Sequence, residues 1–223
     1  MVAEPGRGVP AVVCAMLGTG LIGGALAGTW LLGSAEAVPP AEAAYQRAAG
    51  LWHTEPVDSL FPPVLAGDGA GPGGADRRWT RIAVDAGTGC GAWALRYGCA
   101  HELRATYTDA TRSSVIGAGL VFTAGAPRPA APAVPAGAYG VADAARGSWT
   151  VSVLRDAPVV VYTVSGFADG RRVATPRPAA SAMSTSDVSA VGQAGLGYEA
   201  QAVADRLERA LRREAAAPTG APR

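Results

Sequence analysis

SWTVSVLRDAPVVVYTVSGF, residues 148–167, is the stretch on which the fold turns. Trp149, Val151 and Val153 alternate with Ser148, Thr150 and Ser152, the period of a strand with one apolar and one polar face. A second run, Val159–Ser165, is rich in Val, and Asp156-Ala157-Pro158 between the two has the chemistry of a turn. The simplest pairing is an antiparallel hairpin. A sheet with one apolar face needs something to cover that face, and this requirement organises the rest of the chain.

Working outward, Trp79–Val84, Leu103–Thr108 and Ser114–Phe122 carry the same signature, which predicts about five strands in all. Asp109-Ala110-Thr111-Arg112 reads as a second hairpin connection. The expected cover is the C-terminal segment, where Leu196, Glu199/Ala200, Val203, Leu207 and Leu211 recur at helical spacing. Arg206, Arg209, Arg212 and Arg213 fall largely off that stripe. AEAAYQRAAGLW, 41–52, predicts a short N-terminal helix with Tyr45, Ala48, Ala49 and Trp52 on one side. Residues 62–76, 125–140 and 171–192 read as loops rich in Pro, Ala or Gly, and 125–140 as an exposed one. The expected class is α+β: an antiparallel sheet covered by helices, spanning 41–214, with 215–223 as a disordered tail.

Ahead of this domain the chain is of a different kind. Residues 1–10 read as a cytoplasmic N-terminus, 11–32 as a transmembrane signal-anchor and 33–40 as a linker. The run AVVCAMLGTGLIGGALAGTWLL carries no charge and as a helix would extend roughly 33 Å, enough for a bilayer core. Arg7 precedes it while Glu36 and Glu42 follow, which orients the main domain outward from a single-pass cell-membrane anchor. The alternative is secretion after cleavage at Ala37, since Ala35-Glu36-Ala37 forms an A-x-A site. Gly20, Gly24 and Gly28 lie on one helical face, a spacing that suits transmembrane helix packing. A Gly-rich chain also produces that spacing by chance.

Composition excludes several activities. All 19 basic residues are Arg, with no Lys and no Asn, so neither Schiff-base catalysis nor a phosphate-binding P-loop is available. The net charge is +1 and the Arg residues are interspersed with Asp and Glu, which leaves no basic stripe for nucleic acid.

The densest chemistry is DAGTGCGAWALRYGCAHEL, 85–103. Gly87-Thr88-Gly89-Cys90-Gly91 imitates part of a dinucleotide fingerprint, but Ala92 stands where a third glycine belongs, and Gly98 and Cys99 interrupt the helix that should follow. No nucleotide or other cofactor is expected. Cys90 and Cys99 match neither a redox nor a zinc C-x-x-C spacing, and outside the membrane such a pair reads as a disulfide. The alternatives are a redox-active pair, or a metal set completed by His101 that reaches three ligands at best. No metal site is predicted. His53 beside Trp52 reads as a packed or solvated side chain, and His101-Glu102 as a surface network with Arg104 or Arg96. Asp109, Asp156 and Asp169 sit at turns, where Asp bonds its own backbone. No G-x-S-x-G elbow occurs.

RWTRIAV (78–84), LRATYTDATRSSV (103–115), SWTVSVLRDAPVVVYTVSGFADGR (148–171) and the closing amphipathic helix resemble uncharacterised single-pass exported proteins of actinobacteria. The resemblance covers about half of the outer domain. It implies an anchored extracytoplasmic domain and carries over no catalytic residue. The functional expectation is a non-enzymatic domain that binds a protein partner or ligand at the cell envelope, for example as an accessory to secretion or surface assembly. The alternative is a hydrolase of cell-wall or small-molecule substrates that uses paired carboxylates.

Overall fold

Strand β6, Val159–Phe167, is buried along its whole length, between two antiparallel neighbours. The computed structural model describes residues 38–67, 77–87, 89–131, 133–135, 139–184 and 186–217. In chain order these form α1 (Pro40–Thr54), α2 (Val57–Leu60), β1 (Val64–Ala66), β2 (Arg78–Asp85), α3 (Ala92–Leu95), β3 (Cys99–Asp109) and β4 (Ser114–Thr123). A 3-10 turn (Asp143–Ala145) leads to β5 (Arg146–Val153), and β6 is followed by β7 (Arg177–Pro178), α4 (Ala179–Ala182), α5 (Ala190–Gln193) and α6 (Leu196–Ala216). The predicted anchor, with Gly20, Gly24 and Gly28, lies outside the described residues. Within them, no helix is long and apolar enough to cross a membrane.

The α+β class and all five predicted strands are present, and the sheet is larger than expected. It has seven strands in the order β1-β2-β3-β4-β6-β5-β7. It is mixed, because β7 runs parallel to β5 while the other neighbours are antiparallel. Both added strands come from stretches that read as loop. β1 is three residues long, too short to display a period, and is held at the edge where Arg81 N–H bonds the Pro63 carbonyl at 2.9 Å. β7 is held where the Ser148 hydroxyl donates to the Arg177 carbonyl at 3.0 Å. The 171–192 stretch also contains the one-turn helices α4 and α5.

The inner face carries Leu103, Ala105 and Tyr107 of β3, Ile116, Ala118, Leu120 and Phe122 of β4, and Val159 and Val161 of β6. Against it pack Ala48 and Leu51 of α1 and Val203, Ala204, Leu207 and Leu211 of α6. Each fully buried Val or Leu contributes about 1.5–3 kcal/mol relative to exposure, so this layer is the main stabilising element. The apolar stripe of α6 is as predicted. That of α1 is rotated: Leu51 is buried and Trp52 is 39% exposed. At the other end, α6 runs to Ala216, Ala215 is buried, and its carbonyl accepts from Arg47 Nε at 2.8 Å, so the helix extends into the expected tail.

The alternation in β5 is real, but its orientation is opposite to the one expected. Register pairs Trp149 with Val164 and Val151 with Tyr162, which places these side chains on the outer face, away from α6. Ser148 and Thr150 face α6 together with Ser165 and Thr163. The physical reason is close approach. These small side chains let the helix backbone come near, and the Thr163 and Ser165 hydroxyls donate to the Ala200 and Leu196 carbonyls, each at 2.7 Å. Trp149 is covered instead by Val141, with Val134 packed alongside. The described residues of the Pro/Ala-rich 125–140 stretch are irregular as expected, yet some of them lie over the outer face, where Val134 packs and Pro135 is buried.

Candidate functional site

Within the 85–103 stretch, the chain passes from β2 to its antiparallel neighbour β3 through the one-turn helix α3. A dinucleotide cradle needs a long crossover helix and a parallel strand, and the chain here has neither. Cys90 and Cys99 are disulfide-bonded with Cα atoms 6.0 Å apart. Gly98 takes φ +83°, a left-handed conformation that lets the chain turn from α3 into β3. Trp93 and Tyr97 then lie on the outer face against Val121, Val160 and Tyr162.

Glu102 departs from the surface network expected of His101-Glu102. It is 3% exposed, accepting from the Tyr162 hydroxyl at 2.7 Å and from Gly91 N–H at 2.7 Å. β3 begins at Cys99, four residues earlier than predicted, which carries this position into the covered part of the sheet. Burial raises the Tyr162 phenol well above its ordinary value, and the neighbouring Glu102 charge adds to that rise. Arg104 pairs instead with Asp85 at 2.9 Å and lies 5.8 Å from the centre of the Tyr139 ring. His101 stacks on Trp52 with ring centres 4.1 Å apart, and His53 tilts against the same indole. Among the described residues no three His, Cys, Asp or Glu side chains gather closely enough to hold a metal ion.

The remaining carboxylates highlighted by the sequence have structural partners. Asp109 accepts from Ser114 N–H at 2.8 Å and from the Ser113 and Thr111 hydroxyls, closing the β3–β4 turn. Burial alone would raise its carboxyl, but these hydrogen bonds prevail and hold it below the usual range. Asp156 pairs with Arg212 of α6 at 2.7 Å, and Asp169 with Arg171 at 2.8 Å. Glu199 accepts from Trp79 Nε1 and pairs with Arg77 at 2.5 Å.

A concavity lies elsewhere on the molecule. Where β6 ends, the chain turns through Gly170 and crosses to β7, leaving a groove of 320 Å³ between this crossing and α5. Arg171, Arg172 and Arg177 line it, with Val173, Ala174 and Val191 as apolar wall. A second groove, of 450 Å³, lies between α1 and the end of α6, and there Arg212 is already paired with Asp156 and Glu208. The first groove falls in a stretch that read as loose. Its signal was available as three Arg within seven residues, but they follow no helical or strand period.

No protein-family model, curated protein or solved structure matches this chain.

Proposed function

We propose that this chain is a non-enzymatic, membrane-anchored extracytoplasmic domain that takes a ligand or protein partner at the cell envelope, using the groove between β6 and α5. The observation that carries the reading is the groove itself, an open concavity that joins apolar wall to guanidinium groups. Two further features support it. Four carboxylates, in the sheet, its turns and α6, are engaged in the fold, Glu102 with both oxygens bonded and Glu199, Asp109 and Asp156 each holding a structural contact. The Cys90–Cys99 bond suits an oxidising compartment, in keeping with an outward-facing domain behind an anchor at 11–32.

The test is site-specific photo-crosslinking in intact cells, with the full chain carrying the photoreactive residue at Ala174 in the groove or at exposed Leu95 on the disulfide-bonded connection. The expected result is a discrete adduct from position 174, absent from position 95, in the fraction that stays with membranes after an alkaline wash. No adduct from 174, or the same adduct from both positions, would overturn the use of the groove. Recovery of the chain in the medium, beginning after Ala37, would overturn the anchor.

A further inference from the structure

We infer that the groove between β6 and α5 is a site for an organic anion, a carboxylate or phosphate head carried on an apolar body; this rests on the reading of that groove as the binding surface. The charges of its three guanidiniums are unequally balanced. Asp169 accepts from Arg171 Nε at 2.9 Å and lies 2.8 Å from its terminal nitrogen, while the same guanidinium sits 4.2 Å from the centre of the Phe167 ring. Arg171 thus has a carboxylate on one side and an aromatic face on another. Arg177 lies 3.5 Å from Asp187, whose side chain is 4% exposed and so is anchored in the fold. Arg172 has no ionic or hydrogen-bond partner among the described residues, and it is exposed at the groove.

The lining therefore presents three cations of which two have a carboxylate partner, and a single negative charge would complete the balance. A guanidinium offers five donors in a planar fork, and neither Asp169 nor Asp187 uses all of those on its partner. Donors remain for a planar or tetrahedral oxyanion, held in the two-pronged way that Arg favours. The remaining wall, Val173, Ala174 and Val191, offers nothing to a fully polar ion but would shelter a hydrocarbon or ring attached to the head. At 320 Å³ the groove stands at the low end of the roughly 300–1,000 Å³ typical of ligand pockets, which fits one ring or one terminal residue and not a dinucleotide.

The experiment is ligand-observed NMR by saturation transfer on the full-length chain, with benzoate, phenyl phosphate and the neutral benzamide as probes. Expected is transfer to at least one of the two anions, with benzamide weaker by roughly tenfold, the worth of one charge-assisted contact. Stronger transfer to benzoate assigns a carboxylate head and stronger transfer to phenyl phosphate a phosphate head, and either supports the site. Arg172→Gln should weaken the preferred anion to the level of benzamide while leaving the melting temperature unchanged, and Arg172→Lys should restore part of the binding. Benzamide binding as well as both anions, or Arg172→Gln binding like the parent chain, would overturn the inference. The crosslink from Ala174 would survive that result, because it does not depend on charge. Failure of both anions to bind would overturn the inference as well, and loss of the Ala174 adduct besides would remove the groove reading with it.

Discussion

Gly119 shows how one missing side chain can organise a sheet face. It stands opposite Tyr162 in the β4–β6 register, and a Cβ at this position would lie inside the space of the tyrosine ring. The ring fills that gap and reaches Glu102, so a buried phenol and a buried carboxylate satisfy one another beneath Trp93. Gly119→Ala is expected to cost about 1–3 kcal/mol through overpacking, measured as a lower midpoint in urea unfolding with unchanged slope. An unchanged midpoint would mean that Tyr162 does not lie over this glycine. Sequence could not have singled out Gly119, one of 30 glycines, because the pairing that makes it indispensable is made 43 residues away in β6. The cysteine pair was readable for the opposite reason, since both members lie in one connection and their chemistry depends on compartment more than on register.

Among elements, the seating of α6 against β2 depends on Glu199, Arg77 and Trp79. Burial is the largest influence on the Glu199 carboxyl and raises it above its ordinary value, even though Trp79 and Arg77 pull it down. The folded state thus holds the proton more tightly than the unfolded chain. Stability from this group is fully present below the unfolded value of 4.5 and declines as pH rises through the raised folded value, above which it stays level. Glu199→Gln should remove that decline. Chemical denaturation of the two proteins across this interval is expected to show the variant gaining on the parent as pH rises, and a parent chain that gains on the variant would contradict the account. An ion pair at 2.5 Å would suggest the reverse sign, but the cost of taking the carboxylate out of water outweighs the attraction.

The same scale explains what the strand pattern could and could not reveal. Alternation in SWTVSV separates two faces without saying which one a helix will cover. Trp149 and Val151 lie outward because the 125–140 stretch covers them, and Pro-rich composition signals irregular backbone without signalling exposure. The helix prefers the Ser/Thr face, where its carbonyls find donors. β1 and β7 were hidden by brevity, and the arginine groove by the lack of any period in the segment that bears it.

At the scale of the whole described domain, the sheet is an inner layer covered on both sides, by helices on one face and by the disulfide-bonded connection with described residues of the 125–140 stretch on the other. The two outer coverings are joined, since Arg128 N–H donates to the Tyr97 carbonyl at 2.9 Å. The Cys90–Cys99 bond closes a loop of sequence separation 9, which constrains the unfolded chain by about 2.7 kcal/mol in the loop-entropy account. Cys99→Ser should lower stability by about that amount, checked by urea unfolding of the oxidised parent and the variant. Alkylation of the denatured, unreduced parent should modify Cys14 alone, and reduction should expose all 3 cysteines. Three reactive thiols before reduction would refute the cross-link.

The two hydroxyl contacts between β6 and α6 have a consequence for how the helix is positioned. Thr163 meets the Ala200 carbonyl and Ser165 meets that of Leu196, so two steps along the strand correspond to four residues along the helix in the opposite direction. Two strand residues advance about 6.8 Å and four helical residues about 6.0 Å, near enough for both contacts to engage together. The arrangement works like a rack and gear with matched teeth. Sliding α6 by one residue would rotate it by about 100° and disengage both contacts at once, leaving the buried Thr163 hydroxyl without an acceptor and Ser165 with only its longer contact to the Ser148 carbonyl at 3.4 Å. A run of small polar residues that looks like the weak side of a strand thus gives the helix a single seating.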